Sequence, residues 1–513
     1  MKRRRYLLGA VLLSLWGLAL LGGCTSSVSV EQDSPPKGQT LPPPSITTVP
    51  APSRATVLSG ESLGTPASDV LRPSPTLVST STPLPEIPMP LFGVEPRHPT
   101  DERVLTLLSQ SGARLVRYGS VLWEAVEPQE GVYRWDTLAG MDAALESLSR
   151  QGVEIILVVR SAPLWAQKRY GIVCGPIAQE KFAAFADFMT QLVKRYSAPP
   201  YNVRYWELGN EPDVDPSLVR ADSSLGCWGD KDDPYYGGGY YAEMLKVVYP
   251  AIKAADPRAQ VLNGGLLLDC DPTNSSESAE CHAATFFEGM MRNGGGDYLD
   301  IVNFHGYPPF VKNSLLMDAH HPGWVARGGV VVGKIDYLRE VMGRYGVDKP
   351  LFLTETSLLC PEWNKQDCTP PQDVFYQKQA DYVVRRFVEN WALGIAGTIW
   401  YDFEGQGWRY ASMVGGDLDN PAPAFYAFQY LNRKLSGMLL TGAVDTLPGV
   451  QGYTFLSPQG GKTWVLWSID ESPQTTVLPP GVTAVYDRYG QEIPLATGPE
   501  LEITSPVYVD IAP

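Results

Sequence analysis

The chain has 513 residues, enough for two or three domains with a sizeable core. Its 41 basic and 56 acidic residues leave a net charge of -15, which argues against a surface for nucleic acid or anionic membrane and is compatible with a neutral polymer substrate. Charge alone names no substrate.

Lys2 to Arg5 form a basic cluster, followed by the apolar run Tyr6 to Leu21 and then Leu21-Gly22-Gly23-Cys24. This is the layout of a secretory signal over residues 1–23, and the run is short for a membrane-spanning helix. Its end resembles the bacterial lipobox, which implies that Cys24 becomes the lipidated first residue of the mature protein. The expected location is extracytoplasmic, with the lipid anchored in a membrane of the cell envelope. Residues 24–90 are rich in Pro, Ser and Thr, with Pro35-Pro36 and Pro42-Pro43-Pro44. Such a segment buries too little apolar surface to offset its ordering entropy and is expected to be a disordered tether.

From 91 to 436, apolar β-branched runs recur near Leu91, Leu115, Ile155, Tyr205, Val261, Ile301, Phe352 and Ile399. Amphipathic stretches alternate with them, at Met141 to Ser149, Lys181 to Tyr196, Tyr241 to Ala254, Ile335 to Tyr345 and Gln377 to Trp391. Near-continuous apolar strands alternating with helices point to a parallel sheet and, with eight units, to an α/β fold, a (β/α)₈ TIM barrel. An open doubly wound sheet is disfavoured because Gly93-Val94-Glu95-Pro96, after the first strand, offers no phosphate cradle. In a barrel the strand C-termini converge on one face, and chemistry is expected there.

Two of the strands end in a carboxylate: Tyr205-Trp206-Glu207-Leu208-Gly209-Asn210-Glu211-Pro212 and Leu351-Phe352-Leu353-Thr354-Glu355-Thr356. A carboxylate at the mouth of a buried strand is costly to desolvate unless it is paired or used. The first stretch resembles the Asn-Glu-Pro motif of the clan A retaining glycoside hydrolases, and Leu353-Thr354-Glu355-Thr356 resembles their strand 7 nucleophile segment. Within the same resemblance, which covers roughly 91 to 436 and is closest to families 39 and 5, His305 and Tyr307 match the strand 6 His-x-Tyr, Arg117 the strand 2 Arg, and Trp400 the strand 8 Trp that floors the sugar site. The resemblance implies Glu211 as acid/base, Glu355 as nucleophile, and Arg117, Asn210, His305, Tyr307 and Trp400 as substrate-binding residues.

Around this set, Trp165 and Trp408 are loop aromatics that either stack on sugars or pack, and Glu404 is a candidate hydroxyl ligand. Glu207 shares strand parity with Glu211 and reads as a structural hydrogen-bonding group. The function expected is retaining cleavage of β-glycosidic bonds in a poly- or oligosaccharide, with no cofactor and no metal. A metal-dependent barrel hydrolase is disfavoured because the five His residues include no His-x-His after strand 1. The alternative is a non-catalytic carbohydrate-binding surface protein on the same fold.

Seven cysteines become six once Cys24 is assigned to lipid, an even number that suits disulfides in an oxidising compartment. Cys270 with Cys281 and Cys360 with Cys368 are near in sequence, each pair in a loop after a strand, which leaves Cys174 with Cys227. No CxxC pair or adjacent His cluster favours zinc. Residues 437–513 change to short alternating runs, at Tyr453 to Leu456, Thr463 to Ser468, Thr483 to Tyr486 and Val507 to Ile511. They are expected to form a small antiparallel β-sandwich, with either Trp464 or Trp467 in its core by the period of 2.

Overall fold

The computed structural model describes residues 87–513 apart from 221–222, 224–225, 275–280, 312–313, 316, 361–367, 369–372 and 496–497. The expected signal segment 1–23, the lipidation site Cys24 and the tether up to residue 86 lie outside the described residues.

Eight parallel strands form the central sheet: β2 (Leu91–Val94), β3 (Leu115–Leu122), β4 (Glu154–Arg160), β5 (Tyr205–Leu208), β6 (Gln260–Asn263), β7 (Val302–Gly306), β8 (Leu351–Thr356) and β9 (Gly397–Trp400). The hydrogen-bonded order is β6-β5-β4-β3-β2-β9-β8-β7. Parallel bridges Leu262–Ile301 and Leu266–Phe304 join its two ends, so the sheet closes into a barrel. One principal helix follows each strand: Glu102–Ser111, Ala139–Arg150, Phe182–Tyr196, Gly238–Ala255, Thr285–Arg292, Val330–Arg344, Asp373–Ala392 and Pro423–Leu435. The strands are buried along almost their whole length because these helices cover the outside.

Inside the barrel, Leu115, Ile156, Leu262, Ile301, Phe352 and Ile399 form a buried cluster of their own, a layer of inward side chains that plugs the barrel floor. Two residues further along the same strands, and therefore on the same inward face, come Arg117, Val158 and Tyr401. This parity, counted from the plug, aims side chains into the mouth.

The C-terminal part is an antiparallel sheet in the order β1-β10-β11-β12-β16-β14, with a separate ribbon of β13 (Gln474–Val477) and β15 (Glu500–Ile503). The larger sheet comprises β1 (Ile87–Pro88), β10 (Leu439–Ala443), β11 (Val450–Leu456), β12 (Lys462–Ser468), β14 (Val482–Asp487) and β16 (Val507–Ile511). Of the two tryptophans on β12, Trp467 is fully buried. β1 lies inside the segment expected to be tether, with Ile87 and Pro88 in register with Leu440 and Leu439. A two-residue strand carries no alternation of its own, and Pro88 reads as a breaker, so only the pairing with β10 reveals it.

Candidate active site

Arg117 is the hub of the barrel mouth. It is 4% exposed, and its guanidinium grips Glu207 with a two-pronged fork, Nε to Oε2 at 2.8 Å and Nη2 to Oε1 at 3.0 Å. Nη1 donates to Glu95 Oε2 at 2.8 Å and to Glu355 Oε1 at 2.5 Å, while Nη2 reaches Asn210 Oδ1 at 2.6 Å. Glu207 thus pairs two strands across rather than with Arg204, and Asn210 turns its amide oxygen to Arg117. Burial pushes the Glu95 carboxyl up to about 7 against the pull of Arg117, and the charge of Glu355 adds to the rise.

Glu355, at the end of β8, has both oxygens engaged: Oε1 by Arg117 and Oε2 by the Tyr307 hydroxyl. His305 links it to Glu211, its Nδ1 lying 3.0 Å from Glu211 Oε1 and 3.4 Å from Glu355 Oε2. Burial alone would lower the His305 pKa, but Glu355 and Glu211 outweigh it and raise the imidazole. One oxygen of Glu211, one of Glu355 and a His305 ring nitrogen all lie within 4.8 Å of one another. Glu211 itself sits at φ +46°, a left-handed conformation rather than the extended one that a following proline favours. Its amide donates to Gly265 O at 2.9 Å, which ties the strained turn to the loop after β6.

These groups open into a cleft of about 810 Å³ lined by Glu95, Arg117, Arg160, Asn210, Glu211, Leu267, Tyr307, Glu355, Tyr401 and Trp408, among others. Tyr307 meets Trp408 edge-on at 5.7 Å and Tyr401 at 6.1 Å, so three aromatics form one wall. Behind the cleft, Lys334 Nζ donates to Leu267 O at 2.6 Å and His305 O at 3.0 Å, and burial lowers its pKa to about 8.

Three of the expected substrate-binding residues lie elsewhere. Trp400 is fully buried, with its ring 6.0 Å from Tyr382 on the outer helix and its Nε1 bonded to Ala411 O. Because Ile399 points inward, its neighbour Trp400 must point outward, and Tyr401 takes the cleft position. Trp165 packs edge-on against Trp123 at 5.2 Å and donates to Glu127 O, away from the cleft lining. Glu404 is 2% exposed and accepts from the backbone amides of Arg97 and His98, so it holds the loop after β2 instead of facing substrate. Sequence reasoning gave Glu95, Arg160 and Tyr401 no role in the site; inward parity from Leu91, Ile156 and Ile399 was the available signal.

The trio Glu211, His305 and Glu355 has the composition of a metal site. Arg117 and Tyr307 already engage the two oxygens of Glu355, which leaves that carboxylate poorly disposed to a cation. In the second such grouping among the described residues, Asp269 with Cys270 and Cys281, the sulfurs are consumed by a disulfide. The three bridges are Cys174–Cys227, Cys270–Cys281 and Cys360–Cys368, with Cα separations of 5.2, 5.6 and 5.9 Å, as expected from the sequence.

Residues 96–175 match the Glyco_hydro_42 family, described as beta-galactosidase; the matched segment spans β3 and β4 and stops short of both Glu211 and Glu355. Beta-galactosidase BbgII of Bifidobacterium bifidum is 21% identical over 334 residues, 56% of this chain and 45% of that protein. The chain therefore spans less than half the length of that curated relative. Among solved structures, a family 39 glycoside hydrolase from Bacteroides cellulosilyticus WH2 superposes with a TM-score of 0.60 at 19% identity, covering 83% of this chain and 81% of the other. The catalytic domain of a family 30 xylanase C from Talaromyces cellulolyticus gives 0.54 at 13% identity, over 83% and 98%. An alpha-L-arabinofuranosidase from Thermotoga maritima gives 0.53 at 13%, also over 83% and 98%. What the chain shares with these solved structures is the fold, a (β/α)₈ barrel with a C-terminal β domain.

Proposed function

We propose that the protein is a retaining O-glycoside hydrolase acting on a β-linked sugar, with Glu355 as nucleophile and Glu211 as acid/base. One observation carries the reading: carboxylate oxygens of Glu211 and Glu355 lie within 4.8 Å of each other. Double displacement works with carboxyl groups about 5–5.5 Å apart, whereas inversion needs about 6.5–9.5 Å to seat a water between base and sugar. The β preference rests on the described activity of the family matched at 96–175 and of the curated relative.

In the first step a Glu355 oxygen attacks the anomeric carbon while Glu211 passes its proton to the departing oxygen. In the second, Glu211 takes a proton from water, the water attacks the same carbon, and the Glu355 ester breaks. Arg117 and the Tyr307 hydroxyl engage one Glu355 oxygen each and fix its orientation. His305, hydrogen-bonded to Glu211 and 3.4 Å from Glu355, holds their spacing. Tyr307, Tyr401 and Trp408 offer ring faces to the sugar.

Glu355→Ala should remove nearly all turnover of every substrate, since no glycosyl-enzyme can form. Glu211→Ala should lose less on aryl glycosides with acidic leaving groups, and azide should partly restore it as a β-glycosyl azide. Wild-type activity in Glu355→Ala, or an inverted first product by NMR, would overturn the assignment. We further propose that Cys24 carries lipid and holds the barrel at the outside of a membrane.

A further inference from the structure

Among the described residues that line the cleft, two are cations, Arg117 and Arg160. Arg117 donates to four different side chains. Arg160, the last residue of β4, lies in the strand next to β5 and its Glu211. By the period of 2 it faces inward with Ile156 of the plug and Val158 of the cleft wall. Among the described residues the Arg160 side chain has no salt-bridge or hydrogen-bond partner, and its Nε is buried without one. A buried donor left unpaired costs about 1–3 kcal/mol, and an uncompensated guanidinium more. Burial together with the charge of Arg117 accordingly lowers its pKa. A fold that satisfies Arg117 so completely leaves this second guanidinium open toward the space where substrate must lie.

We propose that Arg160 receives a carboxylate of the substrate, so that the cleft takes a sugar bearing an acid group, a uronic acid residue, beside Glu211. The planar fork of a guanidinium matches a carboxylate in two parallel hydrogen bonds, an arrangement that neutral hydroxyls do not reproduce. The surrounding carboxylates Glu95, Glu207, Glu211 and Glu355 repel an anion everywhere else in the cleft. This repulsion fixes where the acid group sits. The inference rests on the glycosidase reading for the role of the cleft, but Arg160 and its missing partner do not depend on that reading.

The test is binding rather than turnover. Titration of the folded wild-type protein by saturation-transfer NMR should give Kd values for glucuronate and galacturonate about tenfold or more below those for glucose and galactose. Arg160→Gln should bring that ratio near one, and Arg160→Lys, which keeps the charge but not the fork, should fall between. A wild-type ratio near one overturns the proposal whatever the variants do, so a misfolded variant cannot rescue it. Glucose 6-sulfate bound as tightly as glucuronate would overturn carboxylate as the recognised group. Turnover of neutral aryl β-glycosides without uronate preference sinks only the role of Arg160; uronate preference abolished in Arg160→Gln, in a protein that turns over no glycoside, sinks only the glycosidase reading.

Discussion

Gly265 shows how tightly the carboxylate pair is packed. A Cβ at that position would sit 2.0 Å from His305 Nε2, so Gly265→Ala must push the imidazole off its place between Glu211 and Glu355. Misplacing a positioning group by about 1 Å can cost about a hundredfold in rate, and we expect kcat/KM to fall by about that factor in steady-state assays. An unchanged kcat/KM would mean that His305 does not set the spacing. Glu95 offers a pH signature. Burial lifts its carboxyl to about 7, and Arg117 opposes while Glu355 reinforces the rise. The folded protein therefore binds more protons than the unfolded chain between about 4.5 and 7, and this group's contribution to stability falls as pH rises through that window. Glu95→Gln should gain stability on wild type between pH 4.5 and pH 8, by at most about 3 kcal/mol. Urea midpoints of both proteins at the two pH values check it, and a constant difference would contradict it. Their places at strand ends and the family motif made Arg117, Glu211 and Glu355 legible, although Glu355 breaks parity with the inward Phe352 at the register shift between Leu353 and Thr356. Parity alone would have turned Trp400 outward and Tyr401 inward. A motif match drew attention to the larger ring instead.

At the scale of elements, the eight barrel strands were legible because each is a short apolar run, buried by the helices on its outer face and by the packed barrel interior on the other. Two helices and one strand carry weak signals in the sequence, for different reasons. Glu102–Ser111 carries its signals at the ends, where Asp101 accepts from Arg103 N and Gly112 turns left-handed at φ 75°. Thr285–Arg292 is eight residues long, and its buried Phe286, Phe287, Met290 and Met291 read equally as a short strand. Strand β13 shows one buried position in four, too little to separate it from a loop. The loops after the strands are pinned by the three disulfides, and these differ in span. Cys174–Cys227 closes 53 residues, against 11 and 8 for the others. In the chain-entropy account a loop of that length is worth about 4 kcal/mol, and the shorter two about 3 each. Replacing both Cys174 and Cys227 by Ala should therefore destabilise most in non-reducing urea titrations. The greatest loss from either short bridge would show that local strain or packing outweighs loop entropy.

At the scale of the whole molecule, two attachments matter. The first is the proposed lipid at Cys24, for which mass spectrometry of membrane-extracted protein should find a diacylglyceryl-modified N-terminal cysteine; an unmodified thiol there would refute it. The second is the β domain, which grips the helix Asp373–Ala392, the element linking β8 and its Glu355 to β9 and the cleft-facing Tyr401. Trp391 meets Phe455 at 4.9 Å, Lys378 pairs with Glu471 at 2.9 Å, and the Tyr489 hydroxyl donates to Gln377 Oε1 at 2.6 Å. Less exposed than the ion pair of Lys378 with Glu471 is that of Arg488 with Asp381 at 3.1 Å, with side chains 15% and 6% exposed. Burial pushes Asp381 up while Arg488 holds it down, so removing the arginine strands a desolvated carboxyl. Breaking one side of a buried pair costs about 3–5 kcal/mol, and Arg488→Ala should lower stability in urea by about that much. The carboxylate pair lies on the opposite side of β8 from this contact, so kcat/KM well below the melting transition should change little. Lost stability with intact turnover would mark the β domain as a clamp on the barrel wall. Lost turnover in a fully folded variant would instead show that the clamp sets the geometry of Glu355.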